Sequence, residues 1–409
     1  MRYLVLIIVG IILLVLIETY FVKKVKKSLK KSFKGISNKK TKRWQTLLLL
    51  VTNIYPAFLI FNWLFSDLTK SPAYVPQNSF FDYFIIYPFW FIILLFVQCD
   101  LFFLIVDSIK FILYPFWKNQ KERIHSVEAK IILALVAIFI IYVPSRIIYD
   151  YNKISIRIVE YKKKGLPTAL NNFKIALISD LQADRYTDQR RLSNYISKVN
   201  STHPDLVLMG GDVITSTPDY IDEAADYIGK IKSKYGIYSC VGDHDNWAYR
   251  NDYKRSLTEV EDALDKKNVE MLDDTEKKIN IGKSKIGITF ITNTYVGQVP
   301  RKTLDSLTSK SNSVDLKILL VHQPRKFVIA EGVKKNYDLI LAGHTHGGQV
   351  TFLFPFINLS PTLIETPYVR GDFHFGNTLL IVTRGLGMSL APVRYNSTPE
   401  ITLIVLENK

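Results

Sequence analysis

Cysteine is nearly absent: Cys99 and Cys240 are the only two in 409 residues, too few for a disulfide framework or a thiolate metal cluster. They say nothing about compartment. Charge is missing from long stretches instead. Residues 3 to 17, 46 to 65, 83 to 99 and 131 to 145 carry no charged side chain, and each can be extended to about the 20 residues that cross a bilayer. Four such runs within 150 residues leave too little polar surface to cover them as buried helices of a soluble domain. The pattern predicts an all-α membrane region over residues 1–150 with four transmembrane helices at about 3–22, 46–65, 83–106 and 131–149, followed by a second domain over 151–409. A small-residue cleavage site is lacking after the first run, where Glu18 and bulky residues follow, so that run reads as an uncleaved anchor.

Acidic residues are scarce relative to basic ones, 37 against 53, for a net charge of +16. Placement decides what this means. Residues 1 to 150 hold 19 Lys and Arg against 8 Asp and Glu, which leaves only +5 for the remainder. Eleven basic residues lie between Lys23 and Arg43, beside an apolar run, where anionic headgroups and the positive-inside bias account for them. The expected partner is therefore a lipid bilayer, met through four helices and a basic loop, and no nucleic acid is expected. Segments 23–45 and 110–130 contain sixteen Lys and Arg, whereas the N-terminal tail and residues 66–82 contain Arg2 and Lys70. That asymmetry predicts a multi-pass protein of a bacterial-type cell membrane with the second domain extracytoplasmic. Arg146, Lys153, Arg157 and Lys162 to Lys164 pull the other way. Asp100 and Asp107, seven apart in the third run, share a helical face. An intramembrane carboxylate is a functional candidate, but Asp107 lies near the predicted cytoplasmic end beside Lys110 and Asp100 is expected to pair within the bundle.

From about residue 170 short apolar runs alternate with polar stretches of helix length, as in an α/β domain whose sheet is buried on both faces. Five runs end in groups that can bind metal. KIALISD stops at Asp180 with Gln182 beyond it, DLVLMGGD at Asp212, and GIYSCVGDHD at Asp243, His244 and Asp245; KILLVHQP ends in His322 and DLILAGHTHGG in His344 and His346. One Asp after a strand commonly caps a turn, and one His is commonly structural. Five together are different, because ligands favour the carboxyl ends of strands in open sheets and four of the seven histidines sit at such ends. A carboxylate and imidazole set without thiolate suits Mn, Fe, Zn or Mg and hydrolytic chemistry.

In order and spacing, DLQ at 180–182, GD at 211–212, GDHD at 242–245, His322 and GHTH at 343–346 resemble the motifs of the calcineurin-like metallophosphoesterases over roughly residues 170–405. The apolar N-terminal runs and the tail RGLGMSLAPVRYNSTPEITLIVL resemble the membrane-anchored bacterial phosphodiesterases of that superfamily, transmembrane proteins with a metallophosphoesterase domain. The resemblance implies a four-layer α/β/β/α sandwich and two divalent metal ions. Asp180, Asp212, His346 and Gln182 would hold the first; Asp212 would bridge to the second, held also by Asp243, His322 and His344. His244 would protonate the leaving oxygen or steady the phosphoryl group, with Asp245 orienting it. Two such cations lower the pKa of a shared water and clamp phosphoryl oxygens.

Two positions depart from the family pattern, Gln182 for histidine and Asp243 for asparagine. Each adds an oxygen donor, which tunes the pair toward Mn or Mg over Zn. The expected activity is a membrane-anchored, metal-dependent phosphoesterase, a phosphodiesterase or pyrophosphohydrolase acting on lipid-linked or envelope-related phosphoesters. The alternative is a catalytically weakened membrane sensor or scaffold with the same fold. A transporter role is disfavoured by the scarcity of polar residues in the spans. Arg370, His374, Arg384 and Arg394 are further candidates to reach a phosphate.

Overall fold

A computed structural model describes the chain except Met1, Lys34, residues 70–74, Trp117, Arg250, Asn251 and residues 311–312; Lys70, used in the charge asymmetry, lies outside the described residues. The chain divides into two compact units, one of residues 1–148 with 352–359 and one of residues 149–351 with 360–409.

The first unit is built from long helices: α1 (Arg2–Ser32), α2 (Asn38–Thr69), α3 (Ser79–Leu113) and α4 (Lys121–Asn152). Among the described residues three of them, α2, α3 and α4, are long and apolar enough to cross a membrane, where four had been expected. The first half of α1 carries the first uncharged run, residues 3–17, and its second half is rich in lysine. The expected basic loop is also largely helical. Its lysines ride on the end of α1 and the start of α2.

Charges inside this unit are paired, as they must be where water is scarce. Tyr20 donates to Asp107 at 2.7 Å, Lys24 and Lys110 donate to Glu128 at 2.9 and 2.7 Å, and Lys24 also pairs with Asp107. Asn53 of α2 donates to Glu18 of α1 at 2.7 Å. This gives Asp107 a structural role. Asp100 differs from the expectation of pairing: both its oxygens are buried with no hydrogen-bond partner. Residues Phe352–Phe354 and Ile357–Leu359 form an antiparallel hairpin in the same unit. The side-chain amide of Gln98 on α3 donates to the Leu353 carbonyl and accepts from the Leu353 amide, both at 2.9 Å.

The second unit starts with β1 (Ser155–Lys163), β2 (Lys174–Ile178), α5 (Gln189–Asn200), β3 (Leu206–Met209), α6 (Ile221–Ile228), β4 (Ile237–Cys240), α7 (Tyr253–Asp265) and β5 (Val269–Leu272). It continues with β6 (Thr275–Ile281), β7 (Ser284–Ile291), α8 (Arg301–Lys310), β8 (Leu316–Val321), α9 (Lys326–Lys334), β9 (Leu339–Ala342), β10 (Gly371–Phe375), β11 (Thr378–Val382) and β12 (Glu400–Asn408). Two six-stranded sheets result, ordered β1-β12-β2-β3-β4-β5 and β10-β11-β9-β8-β7-β6.

Alternation of side chains gives the central strands two buried faces. Ile175, Leu177, Leu206 and Leu208 of one sheet meet Ile288, Phe290, Ile318, Leu320, Leu339 and Leu341 of the other in one core. On the opposite faces Ala176, Val207 and Met209 pack on α5, α6 and α7, while Leu319, Val321 and Ile340 pack on α8 and α9. These are the four layers expected. Because β2, β3 and β4 are mutually parallel, and β8 and β9 likewise, the five motif-bearing strands of the two sheets end their runs at the positions where Asp180, Asp212, Asp243, His322 and His344 follow.

Leu320 is fully buried between the sheets. Replacing it with alanine leaves a cavity and is expected to cost about 2–5 kcal/mol, read as a lowered thermal unfolding midpoint of the detergent-solubilised chain; an unchanged midpoint would contradict this packing.

Candidate metal centre

Sharp turns, not regular structure, carry the candidate ligands. Asp180, Gln182, Asp212, His344 and His346 all lie in the left-handed region, with φ of 54°, 52°, 60°, 69° and 48°. Each such non-glycine residue costs about 1–3 kcal/mol, so its surroundings must hold it. The Asp180 and Gln182 amides donate to the carbonyls of Gly211 and Asp212 at 2.9 and 3.0 Å, lacing the β2 turn to the β3 turn. Gly211, at φ 81°, lies so close to the β4 turn that an added Cβ would sit 2.5 Å from the Gly242 nitrogen. Only glycine fits there.

The groups thus delivered converge. Asp243 Oδ2 lies 2.9 Å from His344 Nδ1 and 3.2 Å from His322 Nε2, and His322 Nε2 is 3.4 Å from Asp212 Oδ2. His344 Nδ1 and His322 Nε2 are themselves 3.3 Å apart. Each ring is aimed from behind: His322 Nδ1 sits 2.6 Å from the Gly210 carbonyl and His344 Nε2 3.1 Å from Glu365 Oε1. Those partners leave the inward nitrogens as the natural donors to a cation, the arrangement that fixes the tautomer of metal-binding histidines. Asp243, His322 and His344 form one group able to hold a metal, and Asp180, Asp212 and His322 form another.

His346 stands farther off, with Nε2 3.7 Å from Asp180 Oδ1. Its Nδ1 is 3.3 Å from the guanidinium of the fully buried Arg394. Gln182 is equally buried, and its Nε2 donates to Asp212 Oδ2 at 2.8 Å. The other end of this amide, Oε1, is buried without any hydrogen-bond partner. An orphaned acceptor costs about 1–3 kcal/mol, and a cation beside Asp212 would satisfy it once the amide turned over. The donor set and this orphaned oxygen therefore fit a divalent cation pair.

Charge in the pocket follows the same geometry. Burial pushes the Asp243 carboxyl up, but the bonds from His322 and His344 outweigh it and hold the group well below the usual carboxylate range. Burial lifts Asp180 to about 6, and burial with the Asp212 charge lifts Asp245 to about 6. Against the opposing effect of burial, Asp243 and Glu365 raise His344 to about 9. Burial and the Arg394 charge hold His346 well below an ordinary imidazole. An enclosure with this many buried carboxylates calls for positive charge.

His244 lines the same cavity of about 280 Å³ with Asp212, Asp243, His344, Tyr295 and Leu390. Its Nδ1 is bonded to the Thr215 carbonyl and its Nε2 lies 3.1 Å from Ser389 Oγ. Asp245 does not orient it. The Asp245 carboxylate instead accepts from the backbone amides of Gly242, Asp212 and Val213 at 2.8, 3.0 and 2.8 Å, pinning the β3 and β4 turns together. That choice follows from burial: the fully buried carboxylate is satisfied by the backbone amides of the two turns around it.

Several functional contacts escaped the sequence. Glu365 bonds His344, Tyr295 at 2.7 Å, and Arg325. Gln323 donates to both oxygens of Asp243, at 2.9 and 2.8 Å, and Arg325 donates to Gln323 at 2.9 Å. Adjacency in HQPR, residues 322–325, was a usable signal for the last two; nothing local marks Glu365. The arginine candidates are otherwise engaged. Arg370 donates to the carbonyl of Asn396 at 2.8 Å, Arg384 pairs with Glu400 at 3.3 Å, and Arg394 donates to the carbonyls of Gly387, Ser397 and Arg384. His374 lies exposed on β10.

The calcineurin-like phosphoesterase family matches residues 173–348. An uncharacterized metallophosphoesterase of Campylobacter jejuni is 27% identical, over 74% of this chain and 76% of its own. A transmembrane protein with metallophosphoesterase domain from Danio rerio is 28% identical over 61% of this chain and only 56% of its own length, and a phosphodiesterase of Escherichia coli is 26% identical over 61% and 86%. With the family match, the paired sheets and the converging carboxylates and imidazoles in agreement, this chain carries a calcineurin-like metallophosphoesterase domain spanning residues 173–348.

Proposed function

We propose that the chain is a membrane-anchored, metal-dependent phosphoesterase, a phosphodiesterase or pyrophosphohydrolase acting on lipid-linked or envelope-related phosphoesters. The observation that carries this is the convergence of Asp212, Asp243, His322 and His344, of which Asp212, Asp243 and His344 line one cavity with His244. Asp180, Gln182, Asp212 and His346 would hold one cation and Asp212, Asp243, His322 and His344 the other, Mn or Mg being favoured by the added oxygen donors. When bound, such a pair supplies a Lewis acid for phosphoryl oxygens and a water of lowered pKa.

The chain's own groups do the rest. His244, held at Nδ1 by the Thr215 carbonyl, presents Nε2 to the cavity and gives a proton to the leaving oxygen, a task for which a well-placed imidazole is suited. Asp245 keeps Asp212 in its left-handed turn. Glu365 and the Gly210 carbonyl keep His344 and His322 aimed inward. Exposed Leu390 and Ile364, 96% and 94% accessible, border or neighbour the cavity and favour a substrate with an apolar part. Tethering to a bilayer raises the local concentration of such substrates.

A second reading, a weakened sensor or scaffold, is favoured by one contact. The Gln182 amide nitrogen on Asp212 supplies a neutral donor at an oxygen where the first cation would bind. The proposed domain division at about residue 150 and an extracytoplasmic catalytic domain complete the first reading.

Purified full-length chain loaded with Mn or Mg is expected to hydrolyse an aryl phosphodiester, His244→Asn to lower kcat about 10²–10⁴-fold, and Asp212→Asn to lose both metal and turnover. No bound metal and no turnover of either mono- or diester would end the enzymatic reading. Gln182→His is expected to shift preference toward Zn with a metal-to-protein ratio near two in both forms; a ratio that rises toward two only in Gln182→His would favour the weakened-site reading. Reporter fusions after residue 150 should be active only outside the cytoplasm, and activity only inside would reverse the topology.

A further inference from the structure

The first unit holds a cationic cavity of about 260 Å³ between α1 and α4, lined by Lys24, Lys27, Lys30 and Lys31 with Ser28 and His125. Lys24, Lys27, Ser28 and Lys31 are spaced by three, four and seven along α1, so they share one face of that helix. Glu128 also borders the cavity, but it is buried and already accepts from Lys24 and Lys110. Lys31 pairs with Glu122, whose side chain is 81% accessible. Lys27 and Lys30 have no carboxylate partner among the described residues. Lys27, Lys30 and Lys31 are exposed along the rim of the cavity; like charges gathered at one concavity repel one another, and the field they create draws an anion in.

Where this cavity lies along the chain narrows the anion. On α1 it follows the apolar run directly, and on α4 it precedes the apolar run of residues 131–145. Both mark the level where apolar core gives way to headgroups. Glu128 is shared with a second cavity of about 550 Å³ between α3 and α4, with apolar walls that include Ile109, Leu113, Val127 and Ile131. A cationic and an apolar cavity meeting at one buried carboxylate fit an amphiphile better than a free ion. Basic pockets between membrane helices bind lipid phosphates in this manner, with lysine as a point-charge donor.

We propose that the α1–α4 cavity is a specific site for the phosphate headgroup of an anionic phospholipid, held chiefly by Lys27 and Lys30, and separate from the phosphoesterase centre. The site confers a preference that diffuse basic charge alone does not, because Lys27 and Lys30 border the same concavity as Lys24 and Lys31.

Native mass spectrometry of the full chain released from detergent tests this, with phosphatidylglycerol, phosphatidylcholine and inorganic phosphate as the three probes. Wild type is expected to retain phosphatidylglycerol at least tenfold better than phosphatidylcholine, and inorganic phosphate not to displace it at equal concentration. Lys27→Gln with Lys30→Gln should abolish that preference, Lys27→Arg with Lys30→Arg should keep it, and Lys121→Gln with Lys130→Gln, the same charge change on α4 outside the cavity, should leave it intact. Equal loss in both glutamine pairs would mean a diffuse basic surface, and displacement by phosphate would mean an ion site; either result, or no preference in wild type, overturns the proposal.

Discussion

Burying four carboxylates around one small cavity is the constraint on which the second unit turns. Asp180, Asp212, Asp243 and Asp245 are all at most 2% accessible, and charges so placed persist only where donors or cations reach them. Asp212 shows how completely the surroundings are recruited: its carboxylate takes the Gln182 amide and the His244 backbone N–H, and His322 Nε2 stands nearby. Its own backbone amide is tied to Asp245. Against the opposing effect of burial, Asp212 and Asp243 raise His322, and Asp243 and Glu365 raise His344, above an ordinary imidazole, so positive charge on these rings is favoured beside the carboxylates. The same positive partners are what a pair of divalent cations would displace, so the groups that keep the fold tolerable also define where the chemistry belongs.

Satisfying that constraint shapes the backbone. Strands that end together place five turns within reach of one another, and left-handed φ at Asp180, Asp212 and His344 turns their side chains into the gap. Strain of this kind is tolerated where surrounding structure over-determines it. Here the two sheets, packed through an apolar core of fully buried Ile, Leu and Phe, supply the rigid base, and Gly211 and Gly242 supply close approaches that a Cβ would forbid.

The membrane unit obeys a related rule in a different solvent. Its internal charges are paired or hydrogen-bonded around Glu128 and Asp107, with Asp100 the exception. Unbalanced lysines gather at the polar end of α1. Gln98 spends both ends of its amide on the backbone of Leu353, so a hairpin that follows the GHTHGG motif in sequence belongs to this unit.

Hydrophobic periodicity by itself determined much: where the buried strands run, that each stops at Asp180, Asp212, Asp243, His322 or His344, and that charge-free runs of span length precede them. These are local properties, because burial on two faces demands continuous apolar residues and a ligand turn demands an abrupt end to them. Tertiary structure decided what depends on partners distant in the chain. Asp245 serves three backbone amides instead of His244; Glu365, 21 residues after His344, aims that ring; and the basic stretch after α1's apolar run is helix instead of loop. Gln182 belongs to both levels. Its identity was legible at once as a departure from histidine, but only the folded chain shows its amide nitrogen on Asp212 and its oxygen buried without a partner, since a hydrogen bond is settled by geometry that no spacing along the chain encodes.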